Sequence, residues 1–106
     1  LKLLGKLYYH QKDYPRAIEC FLQYLELNPA DNEYLYALSN TYRVFGKYNH
    51  AADVGERLYL RDQKHFLNLI NLATIYLELK VLGRASMMVD RAASIEPENA
   101  DVHTLR

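Results

Sequence analysis

Leu4-Gly5-Lys6-Leu7-Tyr8, then Ala17-Ile18-Glu19-Cys20-Phe21, then Asn28-Pro29: this pattern near the start of the chain decides the fold, because it returns twice. A shift of 34 residues, a length known among helical repeats, carries Leu4 to Leu38 and then Leu72. The same shift carries Gly5 to Ser39 and Ala73, Tyr8 to Tyr42 and Tyr76, and Ala17 to Ala51 and Ala85. Tyr14 goes to Tyr48 and Leu82, and Pro29 goes to Gln63 and Pro97, so the middle copy has lost its proline. A fixed period of this kind means one supersecondary unit repeated, each copy stacking on the next to bury a face it cannot bury alone.

Within each unit the apolar residues keep helical spacing. Leu1, Leu4, Leu7 and Tyr8 form one stripe, and Ala17, Ile18, Phe21 and Leu25 the next. Leu35, Leu38 and Tyr42, then Ala51, Val54 and Leu58, continue the series. Leu69, Leu72, Ile75 and Tyr76, then Ala85, Val89 and Ala92, complete it. No segment alternates long enough to compete as a strand. The breaks between stripes carry turn chemistry. Asp13 is placed to cap a helix that tolerates Pro15 in its first turn, and Pro29 and Pro97 stop helices they cannot continue. Gly46-Lys47-Tyr48 and Lys80-Val81-Leu82-Gly83 fall at the turns within pairs. The reading is all-α: antiparallel helix pairs in a single domain over 1–106, with repeats at about 1–31, 32–65 and 66–99 and the start of a fourth at 100–106.

Leu4-Gly5-x-x-Tyr8, Ala17-x-x-x-Phe21 and Pro29 together resemble the tetratricopeptide repeat. The resemblance implies a right-handed superhelix, or solenoid, of helix pairs. It also gives the small residues a role. Gly5, Ser39 and Ala73 stand where the two helices of a pair approach, Ala17, Ala51 and Ala85 face them, and Tyr8, Tyr42 and Tyr76 plug the space between repeats. Leu1, Leu35 and Leu69 take the place of the family's opening tryptophan. Gly55 stands where Phe21 and Val89 stand in the other copies, which predicts a gap that Tyr59 or Phe66 folds over, or a locally weak second repeat. Without a closing proline, Asp62-Gln63-Lys64 is expected to let the fourth helix run on.

Composition narrows the function classes. Thirteen Lys plus Arg balance thirteen Asp plus Glu, so the chain lacks the basic excess of a generic nucleic-acid binder. Glu33, Glu78 and Asp101 also spoil the repeated basic inner surface that helical repeats reading RNA require. No apolar run approaches the ~20 residues that span a bilayer. Cys20 is the one cysteine, which excludes an internal disulfide framework and favours the cytoplasm while leaving the compartment open. It reads as a small buried hydrophobe. His10, His50, His65 and His103 have no partner at the spacing of a helical metal site. Nothing pairs a nucleophile with a base or cradles a phosphate, so no enzyme and no cofactor are implied.

Function then rests on helix faces that the core does not need. Lys2, Lys6 and Tyr9 share one side of the first helix, Tyr36, Asn40 and Arg43 the matching side of the third, and Ile70, Thr74 and Leu77 that of the fifth. In the tetratricopeptide family these positions line a concave groove that holds a peptide. The resemblance therefore implies a protein–protein interaction scaffold whose groove, with Leu67, grades from basic to apolar along the chain. An acidic partner segment next to an apolar anchor fits that gradient. Ile70 and Leu77 have an alternative role in packing against a following helix that lies outside this piece.

One branch of the family grips the C-terminal carboxylates of heat-shock chaperones with two lysines, an arginine and two asparagines. Those places hold Lys2, Lys6, Ala37, Leu67 and Asn71 here: Lys2 fits, Lys6 is basic where an asparagine is expected, Ala37 cannot donate, and Leu67 and Asn71 lack the charge of the second lysine and the arginine, so that clamp is disfavoured. Two other readings remain: an accessory repeat segment of a larger enzyme, and an assembly or secretion chaperone shielding an apolar segment. A chain that starts and stops within a repeat reads as a piece of a longer protein. Val102 and Leu105, opening an unclosed repeat, predict self-association through the repeat ends.

Overall fold

Three turns of one kind punctuate the molecule, and they explain where the helices stop. In a computed structural model that describes residues 2–105, apart from the side chain of Lys2, the first helix of each pair is α1 (Lys2–His10), α3 (Asn32–Val44) and α5 (Phe66–Glu78). Each ends with the N–H of Asp13, Lys47 or Val81 donating back to the carbonyl of Tyr8, Tyr42 or Tyr76, at 2.9, 2.8 and 2.8 Å. This closure requires a left-handed residue one position earlier. Gly46 supplies it at φ +89, whereas Lys12 and Lys80 are held there at φ 63 and 64. The recurring tyrosines thus anchor the turns through their backbone while their rings pack between helices.

The second helices are α2 (Tyr14–Leu27), α4 (Tyr48–Arg61) and α6 (Leu82–Ile95), and α7 (Ala100–Leu105) opens the next unit. Asp13 caps α2 by accepting from the Arg16 N–H at 3.4 Å, and Asp31 caps α3 by accepting from that of Tyr34 at 3.3 Å. At the third junction His65 takes over: its Nδ1 accepts from the Asn68 N–H at 3.1 Å. The fourth helix does not run on. Asp62 adopts an extended backbone, its carboxylate accepts from the Lys64 N–H at 3.1 Å, and α4 stops at Arg61 without a proline. A capping side chain on each flank does what Pro29 and Pro97 do elsewhere.

Packing runs in two connected cores. Ala17, Phe21, Leu25, Tyr34, Leu35, Leu38, Val54 and Leu58 form the N-terminal one; Leu69, Leu72, Ile75, Tyr76, Ala85, Val89 and Val102 belong to the C-terminal one. Tyr42 packs against both, the plug position read from the repeat. Burying each large aliphatic side chain contributes roughly 1.5–3 kcal/mol. Leu35 and Leu69 are fully buried in the tryptophan's place. Val102 is fully buried too, and Leu105 packs against the C-terminal core, so the opening of the fourth repeat is already docked.

The gap expected at Gly55 does not exist. A Cβ there would sit 2.7 Å from Leu72 Cδ2, 3.2 Å from Leu72 Cγ and 3.1 Å from Ser39 Oγ. Leu72 from the neighbouring repeat occupies the room that Phe21 fills in the first, so neither Tyr59 nor Phe66 is needed. Gly5 makes the matching close approach, its absent Cβ lying 2.7 Å from a carbon of the Phe21 ring.

Candidate functional site

The face shared by α1, α3 and α5 is stitched by polar side chains that cross from repeat to repeat. Asn40 Nδ2 donates to the Tyr9 hydroxyl at 3.0 Å, and Asn40 Oδ1 accepts from Arg43 Nη2 at 2.6 Å. Arg43 Nε donates to Asn71 Oδ1 at 2.9 Å, and Asn71 Nδ2 donates to Ser39 Oγ at 2.8 Å. Ser39 Oγ in turn donates to the Ala51 carbonyl at 2.7 Å. The chain runs from the half-buried surface at Tyr9 into the core, where Asn71 is 4% exposed. Each amide uses both ends, so its orientation is fixed, and linked bonds in a low-dielectric setting reinforce one another.

Sequence reading missed the inner half of this network. Asn71 appeared there only as a poor match to a clamp arginine, and Asn68 not at all. The available signal was two asparagines inside the otherwise apolar Phe66–Tyr76 stretch, since a polar group so placed needs a partner. Asn68 Nδ2 donates to the Gly55 carbonyl at 3.0 Å, which ties α5 to α4.

Lys6, Tyr9, Tyr36 and Asn40 line a single cavity of about 240 Å³, floored by Phe21, Ala37 and Thr41. Arg43 borders it through Asn40. Tyr36 is half-buried in this lining, its ring 5.5 Å from that of His65. Burial pushes its phenol above the usual tyrosine range, and the nearby Arg43 charge pulls partly the other way. Five of the ten residues read from the sequence therefore come together.

The rest are dispersed. Lys2 falls outside the described side chains. Leu67, 53% exposed, lines a separate hollow with His65, Phe66 and Asp101. Thr74 Oγ1 donates to the Ile70 carbonyl of its own helix at 3.0 Å. Ile70 packs on the C-terminal core, and Leu77 faces α7, sharing a hollow with Leu82, Ala85, Val89 and Leu105. For these two the packing role fits the structure better than an open groove row. The basic end is also altered: Lys6 Nζ lies 3.1 Å from Glu33 Oε1, and this bond holds its ammonium above the usual lysine range. Both side chains are partly exposed, so the pair is a weak surface one, but it sets a carboxylate beside this end of the face.

Among the described residues no helix is long and apolar enough to cross a membrane, and no cluster of three or more His, Cys, Asp or Glu could hold a metal.

Stacked antiparallel pairs with this period define an all-α helical-repeat protein. Residues 1–31 match the family model for the tetratricopeptide repeat. The first TPR domain of Spaghetti (RPAP3), solved bound to the HSP90 peptide SRMEEVD, superposes with a TM-score of 0.93 at 18% identity, covering 97% of this chain and 82% of that one. A thermophilic TPR protein of Thermus thermophilus superposes with a TM-score of 0.84 at 27% identity, over 97% of this chain and 59% of that one. Protein bimA of Emericella nidulans is 27% identical over 97 residues, which is 92% of this chain and 12% of that protein. The chain thus spans a small fraction of that curated relative. Residues 1–31 carry the match to the tetratricopeptide repeat, and the described residues as a whole, three helix pairs and the opening of a fourth, share the fold of those TPR domains.

Proposed function

We propose that the chain is a protein-interaction module that takes a segment of a partner protein along the concave face of α1, α3 and α5. The observation that carries this reading is the braced row Tyr9–Asn40–Arg43 beside the cavity under Tyr36. Side chains held by bonds between repeats lose little freedom on binding, so contact energy is not spent on ordering them. Tyrosine and arginine are also the residues that most often dominate contact energy. The peptide bound to the structurally similar Spaghetti domain supports a peptide ligand in general terms. It does not carry over in detail. At the clamp positions Ala37 offers no donor, Leu67 no charge, and Asn71 is buried and committed to Arg43 and Ser39. The ligand is therefore a segment recognised by its side chains rather than a terminal carboxylate recognised by that clamp.

A photo-crosslinking amino acid at position 36, with one at the exposed position 57 as control, tests the face. Peptide-bearing crosslinks at 36 and not at 57 are expected from a cell extract. The reverse pattern would place the contact surface outside the groove.

A further inference from the structure

Among the described side chains of this face, Arg43 is a cation with no carboxylate within 4 Å. Among the described residues Lys6, Arg16 and Arg84 each sit within 4 Å of a carboxylate, at 3.1, 3.5 and 3.4 Å. Arg43 is half-buried, and its partners are two amides. A guanidinium carries five N–H donors. Nε–H goes to Asn71 and one Nη2–H to Asn40. The second Nη2–H and both Nη1–H groups remain, which is an end-on fork. The amides aim that fork without neutralising it, and a partly desolvated charge left so gains strongly from a carboxylate.

The geometry points to Arg43 as the seat for an acidic side chain of the bound segment, with the segment's adjoining apolar residue in the cavity behind Asn40. This rests on the groove reading above and gives it a ligand chemistry. The two subsites adjoin because Asn40 belongs to both, lining the cavity and holding the guanidinium. Negative charge elsewhere around the cavity favours the Arg43 side for the acid. Glu33 occupies the Lys6 side of the cavity, and the Asp101 charge reaches Tyr36 from α7. A planar two-oxygen carboxylate matches the free fork in a way that an amide or hydroxyl cannot.

Selection of short random peptides displayed on phage, against the chain and against Arg43→Glu, Arg43→Lys and Tyr36→Ala, tests the assignment. Wild type should enrich peptides with Asp or Glu next to a large apolar residue. A labelled peptide from that pool should lose at least about tenfold in affinity on Arg43→Glu, equivalent to one 1.4 kcal/mol step. Its charge-reversed analogue should gain on the same variant, a rescue that mere loss of fold cannot produce. Should Arg43→Glu fail to fold, judged by circular dichroism, Arg43→Lys keeps the charge and loses the fork, and a weaker acid preference is expected. Enriched peptides that lack an acidic position, yet are lost on Tyr36→Ala, would keep the groove and overturn the carboxylate seat. Acid preference that survives Arg43→Glu would overturn it as well. Peptides indifferent to both positions would sink the groove reading and this assignment together.

Discussion

Replacing Gly55 with alanine separates two accounts of the second repeat. Helix propensity alone favours the change by about 0.8–1 kcal/mol, because glycine loses more backbone freedom in a helix interior. The structure opposes it. Carbon–carbon contacts are optimal at about 3.5–4 Å, and the new Cβ would stand 2.7 Å from Leu72 Cδ2. Leu72 must then retreat by on the order of 1 Å, yet it is 1% exposed and enclosed in the C-terminal core. Ser39 Oγ, 3.1 Å from the same Cβ, is tied to Ala51 and Asn71 and has little freedom to yield. Overpacking of this kind costs about 1–3 kcal/mol. Set against the propensity gain, the crowding leaves a net loss of about 0–2 kcal/mol, centred near 1 kcal/mol. At ~4–8 °C per kcal/mol for a domain of this size, the central value lowers the melting midpoint by about 4–8 °C. Thermal melts followed at the helical circular-dichroism band, with urea titration alongside, measure it. Gly83→Ala is the control, since nothing lies within 4 Å of its Cβ position, and it should be neutral or stabilising by up to ~1 kcal/mol. A Gly55→Ala midpoint at or above wild type would refute the close-approach account and reinstate a gap.

Lys80→Gly should stabilise by about 1 kcal/mol, because it relieves a left-handed backbone at φ 64, whereas Gly46→Ala, at φ +89, should destabilise by a similar amount in the same urea titrations. Arg43→Ala leaves Asn71 Oδ1 buried without its donor and should cost roughly 1–3 kcal/mol of stability, so the Tyr36→Ala, Arg43→Ala double variant will not keep the wild-type midpoint; an unchanged melt would show the network to be energetically idle. In fluorescence anisotropy, the peptide SRMEEVD should show no advantage for a free over an amidated C-terminus, and a clear loss on amidation would mean that a carboxylate clamp exists despite Ala37 and Leu67.

The sequence by itself determined the architecture, because a helical repeat states its fold over and over. Apolar spacing, the recurrence of Leu4, Tyr8 and Ala17 at a fixed interval, and Pro29 and Pro97 at pair boundaries sufficed for helix pairs and their order. Each of these signals is local, or repeats at one interval, and survives being read along a line. Tertiary structure decided what depends on contact between repeats. Gly55 reads as a deficit along its own helix and becomes a close-packing site only when Leu72 of the next repeat is seen against it. Lys6 reads as a groove cation until Glu33 pairs with it, and Arg43 reads as a surface residue until Asn40 and Asn71 are found holding it. Leu77 belongs to packing for the same reason, through the C-terminal core. A side chain's pattern position fixes which way it points, but its free charge and free surface are set by what the neighbouring repeat brings to meet it.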